Sequence, residues 1–512
     1  MAVLSNISAL LMFFFAFVEL SCQIGVDFVI LTQPNPHHQR IAEETESLLK
    51  KALKKDEFFK SSKIFRSERD LHFHGGWTFY PLFVQLAKKY NGQSSDVPQW
   101  IAFLPENGRV NARALVQMID FHSKDKEDPT AAETFLGHAL VDHDHVVIHH
   151  FEHPGLTYHH AGTGFLVSWP IVKDVADRLN ELSKDERSFP ADFSIDPAFE
   201  LAKTLHHKDD RWDDSEHVPD HDAPLNERIS LEHDGRICHE ETPDKNCAIY
   251  PASVNKTHNC SKSNFEKIEE VAKATLIAVK TCEKFHEKRL PTIQSTWAKA
   301  ALNVKYFSEK EDPNYNTQVP EGVLKNTKEG HCQKTISIMK YFHNQAEKSN
   351  WKWLVIVDDD TILGVQKLLE QLTCYDHEKD LALGQRYGFR VAKGGYGYDY
   401  ITGGGGMVFS RALVKKIFGG KNDCECPKDN APDDMHLGAC LSSLGVPITH
   451  SDRFHQARPE DYHPSLLELQ DPISFHKFWN TDPMKTYAEW FAENDKRLAE
   501  LKFTLENPHQ EL

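Results

Sequence analysis

The clearest hydrophobic pattern in the chain is Trp353-Leu354-Val355-Ile356-Val357, an unbroken apolar, β-branched run that reads as a buried strand of a parallel sheet. Three carboxylates, Asp358-Asp359-Asp360, follow it directly. Further on, Gly403-Gly404-Gly405-Gly406 feeds the apolar segment Met407-Val408-Phe409, and Ala412-Leu413-Val414-Lys415-Lys416-Ile417 then has helical spacing. Pro432-Asp433-Asp434-Met435-His436-Leu437-Gly438 opens another amphipathic stretch, with acids where a helix N-terminus favours them. At the start of the chain, Ala9 to Val18 is too short to span a bilayer and suits a signal-peptide core, with cleavage expected near Ser21 or Cys22. No Lys or Arg precedes it, so an uncleaved anchor stays open as the alternative. No later segment is long and apolar enough to cross a membrane.

Three adjacent acids at the mouth of an apolar strand repel one another unless a cation or a hydrogen-bonding ligand offsets them. Oxygen ligands point to divalent Mn or Mg, and a pyrophosphate would complete such a site. A solvated acidic turn is the competing reading for the triplet, and helix capping for Asp433-Asp434. The glycine run would let backbone approach a ligand closely. His143-Asp144-His145 and His149-His150 read as a partly buried edge rather than a metal site.

The order of these features carries more than any one of them: apolar strand, Asp triplet, glycine run, Pro-Asp-Asp with Gly438 four residues on, then Phe454-His455. With Ile277-Ala278-Val279-Lys280-Thr281, Phe285 to Leu290 and Thr296-Trp297, the chain from about 270 to 480 resembles the fringe-like β-1,3-glycosyltransferases. The resemblance implies a GT-A fold, inversion at the sugar, a nucleotide-sugar donor and a divalent metal. Ala457-Arg458-Pro459 and Ile473-Ser474-Phe475-His476-Lys477 look most like the members that add glucose to O-linked fucose on thrombospondin type 1 repeats. That likeness implies UDP-glucose as donor and such repeats as acceptors. A related galactosyl- or N-acetylglucosaminyltransferase, and a non-catalytic lectin or folding factor on the same fold, are the alternatives.

By the same resemblance, Asp434 is the expected base, with Asp433 second. Asp360 is the expected metal ligand, while Asp358, Asp359, Gly404 and Gly405 bind the donor. His455 is the expected second metal ligand, with His476 as its alternative. Trp297 and Arg289 are candidates to shape the donor pocket.

Composition fits a secretory protein of more than one domain. At 512 residues the chain exceeds what one core usually organises. A formal net charge of -17 disfavours nucleic acid or an anionic membrane as partner. The ending His509-Gln510-Glu511-Leu512 resembles an ER retrieval signal and predicts residence in the ER lumen and a retrieval receptor as partner. Sequons at Asn255-Lys256-Thr257 and Asn259-Cys260-Ser261 agree with a lumenal chain. Apart from Cys22, all cysteines lie from Cys238 onward, so disulfides are expected in the second half, with one thiol left unpaired. Cys424-Glu425-Cys426 has the wrong spacing for a zinc finger.

An internal repeat is also legible. Trp100-Ile101-Ala102-Phe103-Leu104-Pro105-Glu106-Asn107 aligns without a gap on Trp353 to Asp360, and Ala161-Gly162-Thr163-Gly164 to Ser168 lies over the glycine run to Ser410. In that register Pro190-Ala191-Asp192-Phe193 falls on Pro432 to Met435, and most of the acids are lost. The expected architecture is α/β: two GT-A, Rossmann-like domains in tandem, the first degenerate. The expected bounds are a signal peptide at 1–22, a non-catalytic domain at 23–235, a linker at 236–265, a catalytic domain at 266–508 and the retrieval signal at 509–512. The polar, charge-dense stretch from His206 to Pro224 reads as a loop or linker.

Overall fold

The computed structural model describes residues 25–507 except 55, 92–96, 125, 127, 129–130, 152–153, 183–191, 207–228, 241–244, 253–259, 261–263, 324, 328–329, 394–396, 421–423 and 429. The signal peptide, the first sequon, the ends of the second, most of the polar 206–224 stretch and the C-terminal tetrapeptide therefore lie outside the described residues.

The N-terminal half contributes β1 (Val26–Ile30), β2 (Ile64–Arg66), β3 (Trp100–Leu104), β4 (Gly108–Val110), β5 (Phe135–Gly137), β6 (Ala139–Val141), β7 (Thr157–His159), β8 (Phe165–Ser168), β9 (Phe193–Ser194), β10 (Leu231–His233) and β11 (Ile249–Pro251). The C-terminal half contributes β12 (Thr275–Lys280), β13 (Val304–Phe307), β14 (Thr317–Gln318), β15 (Trp353–Asp358), β16 (Thr361–Leu363), β17 (Ala382–Gly384), β18 (Arg386–Phe389), β19 (Tyr398–Ile401), β20 (Met407–Ser410), β21 (Ile448–His450) and β22 (Ser474–His476). The first main sheet runs β10-β5-β8-β3-β1-β2 and the second β14-β13-β12-β15-β20-β17-β21.

Beyond the extra edge strand β14, the two sheets share order, direction and register. In both, the third and fourth strands pair antiparallel, Trp100 opposite Ser168 and Trp353 opposite Ser410. Val26 pairs in parallel with Trp100 as Thr275 does with Trp353. Each sheet is covered on both faces, which is why its central strands are apolar without alternation. Trp353, Val355 and Val357 enter one core cluster, and Leu354 and Ile356 the cluster on the opposite face.

Two expectations change. Ile249–Pro251 pairs antiparallel with Gly108–Val110, and Cys238 is bonded to Cys247, so the stretch expected as a linker from 236 packs in part on the N-terminal half. The helix packed on β7, as the helix Asp433–Ser443 is packed on β19, spans Pro197–His206. The alignment of residue 190 on Pro432 therefore fails; Asp192 instead accepts a backbone hydrogen bond from Arg390 at 2.6 Å.

The halves are joined closely. Phe193–Ser194 pairs with Gly388–Phe389, making a three-stranded sheet β19-β18-β9 across the boundary. Val146 and Ile148 pack in one cluster with Ile362, Tyr462, Phe475 and Phe491. His149 is not part of any metal-binding group among the described residues; it is buried between Asp142 and Asp196 and stacked on Phe199 at 4.0 Å. Four disulfides pair Cys238–Cys247, Cys260–Cys374, Cys332–Cys426 and Cys424–Cys440, leaving Cys282 free among the described residues.

Candidate active site

The acids gather where β12 and β15 end. Parallel pairing sets Lys280 beside Asp358, so a cation closes one apolar strand and an anion its neighbour. Lys280 Nζ lies 3.2 Å from Asp358 and donates a short hydrogen bond to Asp433. It is buried, yet Asp358 and then Asp433 hold its pKa above the ordinary lysine value against the desolvation that would lower it.

Asp433 and Asp434 form the first turn of the helix Asp433–Ser443, but no capping side chain precedes them. Asp433 accepts from Lys280 and from Thr335 Oγ1 at 2.6 Å. Burial would raise its pKa; the Lys280 charge and these hydrogen bonds instead hold it down at about 2. Asp434 differs in kind. Its only hydrogen bond among the described residues is from the Met435 N–H at 2.7 Å, and no ion pair reaches it. Burial and the neighbouring Asp433 charge push its pKa up to about 6. Gly438 makes this placement possible: a Cβ there would lie 2.5 Å from Tyr400 Cβ and 2.6 Å from the Asp399 carbonyl, so only glycine lets the helix approach β19.

The triplet divides its work. Asp359 is held by Thr281 Oγ1 at 2.7 Å and by Arg289, and burial lifts its pKa to about 6 despite them. Asp360 faces Arg289 at 3.1 Å and His476 Nε2 at 3.1 Å. Burial opposes the ionised form of Asp360, and the His476 hydrogen bond outweighs it and lowers the pKa. Pairing of β16 with β22 sets Thr361 opposite His476, which brings the imidazole to the acids. Its Nδ1 lies 3.1 Å from the Gln456 carbonyl, which selects Nδ1–H and turns Nε2 toward the carboxylates.

Asp358, Asp360 and His476 each offer a ligand atom within 4.8 Å of the others. Two carboxylate oxygens and an imidazole nitrogen suit Mn, and the fixed tautomer leaves the correct nitrogen free, so these residues fit a divalent ion. His455, the expected ligand, does not join them. It is buried with Nδ1 near the Arg453 and Ser474 carbonyls at 3.1 and 3.2 Å and Nε2 at 2.9 Å from Gln470, and burial holds its pKa down at about 4. Both ring nitrogens are committed to structure. The alternative, His476, is the histidine at the acids.

The glycine run explains itself at Gly404, where a Cβ would lie 2.3 Å from His476 Nδ1. Gly405 N–H donates to Gln456 at 2.9 Å, so this backbone is fixed rather than loose. Trp297 is buried, its indole N–H donating to the Thr361 carbonyl at 3.1 Å, and it supports the site from behind rather than lining it. Sequence reasoning assigned no role to Lys280 or Thr335. The signal for Lys280 was present, a charge ending an apolar strand, but its meaning depends on strand register.

A fringe-like family model matches residues 271–503. The Homo sapiens protein described as beta-1,3-glucosyltransferase is 36% identical over 480 residues, covering 92% of this chain and 86% of its own length. The chain belongs to the fringe-like β-1,3-glycosyltransferase family. The corresponding Mus musculus beta-1,3-glucosyltransferase is 34% identical and covers 95% of this chain and 90% of its own length. A second group in the family, represented by the Gallus gallus lunatic fringe beta-1,3-N-acetylglucosaminyltransferase, is 29% identical and covers 35% of this chain and 54% of its own length. Membership makes the chain a glycosyltransferase, and its family match contains every acid described above. Among the described residues no helix is long and apolar enough to cross a membrane.

Proposed function

We propose that this chain is an inverting β-1,3-glucosyltransferase that transfers glucose from UDP-glucose to the 3-OH of O-linked fucose on thrombospondin type 1 repeats in the ER lumen. The observation that carries the choice within the family is likeness along nearly the whole chain, N-terminal half included, to proteins described as beta-1,3-glucosyltransferases. The fringe relative covers only a third of it. The matching strand order of the two main sheets supports reading the chain as two GT-A domains, the first without catalytic acids. The ending His509-Gln510-Glu511-Leu512 supports retrieval by an ER receptor.

In this reading the acceptor hydroxyl attacks the anomeric carbon from the face opposite the departing nucleotide. Asp434 accepts the hydroxyl proton: no cation is ion-paired with it among the described residues, and a pKa of about 6 suits a base near neutral pH. Asp433 is unsuited to that task, because Lys280 and Thr335 occupy its carboxylate. It anchors the turn that aims Asp434. Asp358, Asp360 and His476 would hold the divalent ion, which, when bound, offsets charge growing on the leaving phosphate as a Lewis acid. Asp359, fixed by Arg289 and Thr281, orients the donor beside them, and Gly404 and Gly405 give it close backbone.

The test is sugar transfer by the purified chain onto a folded, O-fucosylated thrombospondin repeat. UDP-glucose, UDP-galactose and UDP-N-acetylglucosamine are compared with and without Mn, for the natural chain and Asp434→Asn. Glucose transfer that requires Mn and Asp434 is expected. Preference for another sugar overturns the donor, and no transfer from any donor by a folded chain overturns the enzyme reading.

A further inference from the structure

A cavity of about 510 Å³ lies between the two halves, away from the acid cluster. Its floor is the edge of the N-terminal sheet that corresponds, by strand register, to the edge carrying the acids in the C-terminal sheet. The register that sets Trp100 on Trp353 sets Pro105, Glu106 and Asn107 on the Asp triplet, and Pro105, Glu106, Asn107 and Gly162 all line the cavity. One device survives from the other site. Glu106 is held by His38 at 2.8 Å, as Asp359 is held by Arg289, each partner coming from the helix after the first strand. Metal chemistry is gone, because Pro105 and Asn107 carry no charge.

What replaces it comes from the other half. Arg386 lines the cavity, its guanidinium carbon 4.5 Å from the centre of the Trp77 ring. No hydrogen bond or ion pair reaches that guanidinium among the described residues, and its Nε is fully buried without a partner. Asp399 offsets part of its charge, but the guanidinium donors stay without hydrogen-bond partners among the described residues, which favours a ligand that accepts hydrogen bonds. Beside it, the Arg386 backbone N–H donates to His450 Nδ1 at 3.1 Å, which puts the proton of this neutral ring on Nε2 as a donor. Trp77 donates to Asp399 Oδ1 at 2.9 Å, leaving Oδ2 as an acceptor without a partner among the described residues.

We propose that this cavity is a second carbohydrate-binding site, taking a neutral pyranose whose hydroxyls pair with Arg386, His450 and Asp399 beside Trp77. Interleaved donors and acceptors next to an indole match a ring of hydroxyls. Phosphate or carboxylate ligands fit poorly, since Glu106 and Asp399 would repel them, so the nucleotide donor is excluded. The volume is in the range of ordinary small-ligand sites. The site is independent of which sugar the active site transfers. The hairpin β18–β19 forms its wall with Arg386 and Asp399, while Tyr398 and Tyr400 lie near Asp434.

The test uses the full chain with its active site filled by UDP and Mn. Methyl β-D-glucopyranoside, methyl α-L-fucopyranoside and methyl α-D-mannopyranoside are offered in turn, and binding is read by saturation-transfer difference NMR. Hydrogen-deuterium exchange then locates the bound glycoside. At least one glycoside should give a signal that survives saturating UDP, with protection at residues 72–79 and in β18–β19. Arg386→Met, or Asp399→Asn if the first variant fails to fold, should weaken that binding about tenfold or more. The proposal is overturned if none of the three binds, if UDP abolishes the signal, if protection maps elsewhere, or if folded variants bind as the natural chain does.

Discussion

Replacing Lys280 with methionine removes the one cation that joins Asp358 to Asp433 while keeping nearly the same side-chain length. Lys280 is only 5% exposed and Asp433 9%, so water cannot take over the charge. Asp433 would be left with Thr335 as its partner. Breaking a buried pair from one side costs about 3–5 kcal/mol, because the remaining ion is stranded. Removing both charges costs far less, since a neutral, well-packed pair is close to break-even with the ionic one. Lys280→Met should therefore lose about 3–5 kcal/mol in urea unfolding, and Lys280→Met with Asp433→Asn should recover more than about 1 kcal/mol of it. The assay is best run with EDTA, so that a bound ion does not compensate the acids. A single variant that loses under about 1 kcal/mol, or a double variant whose losses simply add, would refute the view that Lys280 neutralises Asp433.

Further expectations follow from the same geometry. Asp434→Asn should reduce transfer about 10²–10⁴-fold while UDP–Mn binding by calorimetry stays unchanged. In the natural chain kcat/KM should rise with pH through about 6, because Asp434 must lose its proton to act as base; a flat profile would reject it. Its raised pKa also means folding favours the protonated form, so stability falls as pH climbs from the ordinary carboxyl range past about 6, and Asp434→Asn should raise the neutral-pH Tm. His476→Ala should weaken Mn binding about tenfold or more, whereas His455→Ala should lower Tm and leave Mn affinity near its original value; the reverse pattern would restore His455 as ligand. Gly404→Ala, which drives a methyl to 2.3 Å from His476 Nδ1, should weaken Mn binding like loss of the histidine, measured by Mn electron resonance.

Much of the architecture was legible because burial leaves a plain mark on composition. A strand covered on both faces must be apolar throughout, so Trp353 to Val357 and Trp100 to Leu104 announced themselves and even aligned on each other. The repeat failed at its third landmark for an equally physical reason. Loop length between strand and helix is free to drift, so a fixed register carried from Ser168 missed the helix that begins at Pro197. At the site, the acids were visible as types, but their division of labour was not. Asp433 and Asp434 are adjacent and identical in sequence. Only the fold shows that one faces Lys280 and the other does not. The two histidines were indistinguishable for the same reason, since His476 reaches Asp360 through a strand pairing no local pattern reveals.

One disulfide anchors the helix that carries the two acids, and a second anchors the helix packed against it. Cys440, within the first helix, is bonded to Cys424, while Cys426 is bonded to Cys332, which opens the helix that supplies Thr335 to Asp433. The turn that carries Asp434 is thus braced by covalent links that exist only after oxidation. A chain synthesised in a reducing compartment would carry every residue of the site and still lack the cross-links that hold the turn. The bracing of this turn is then acquired together with oxidative maturation.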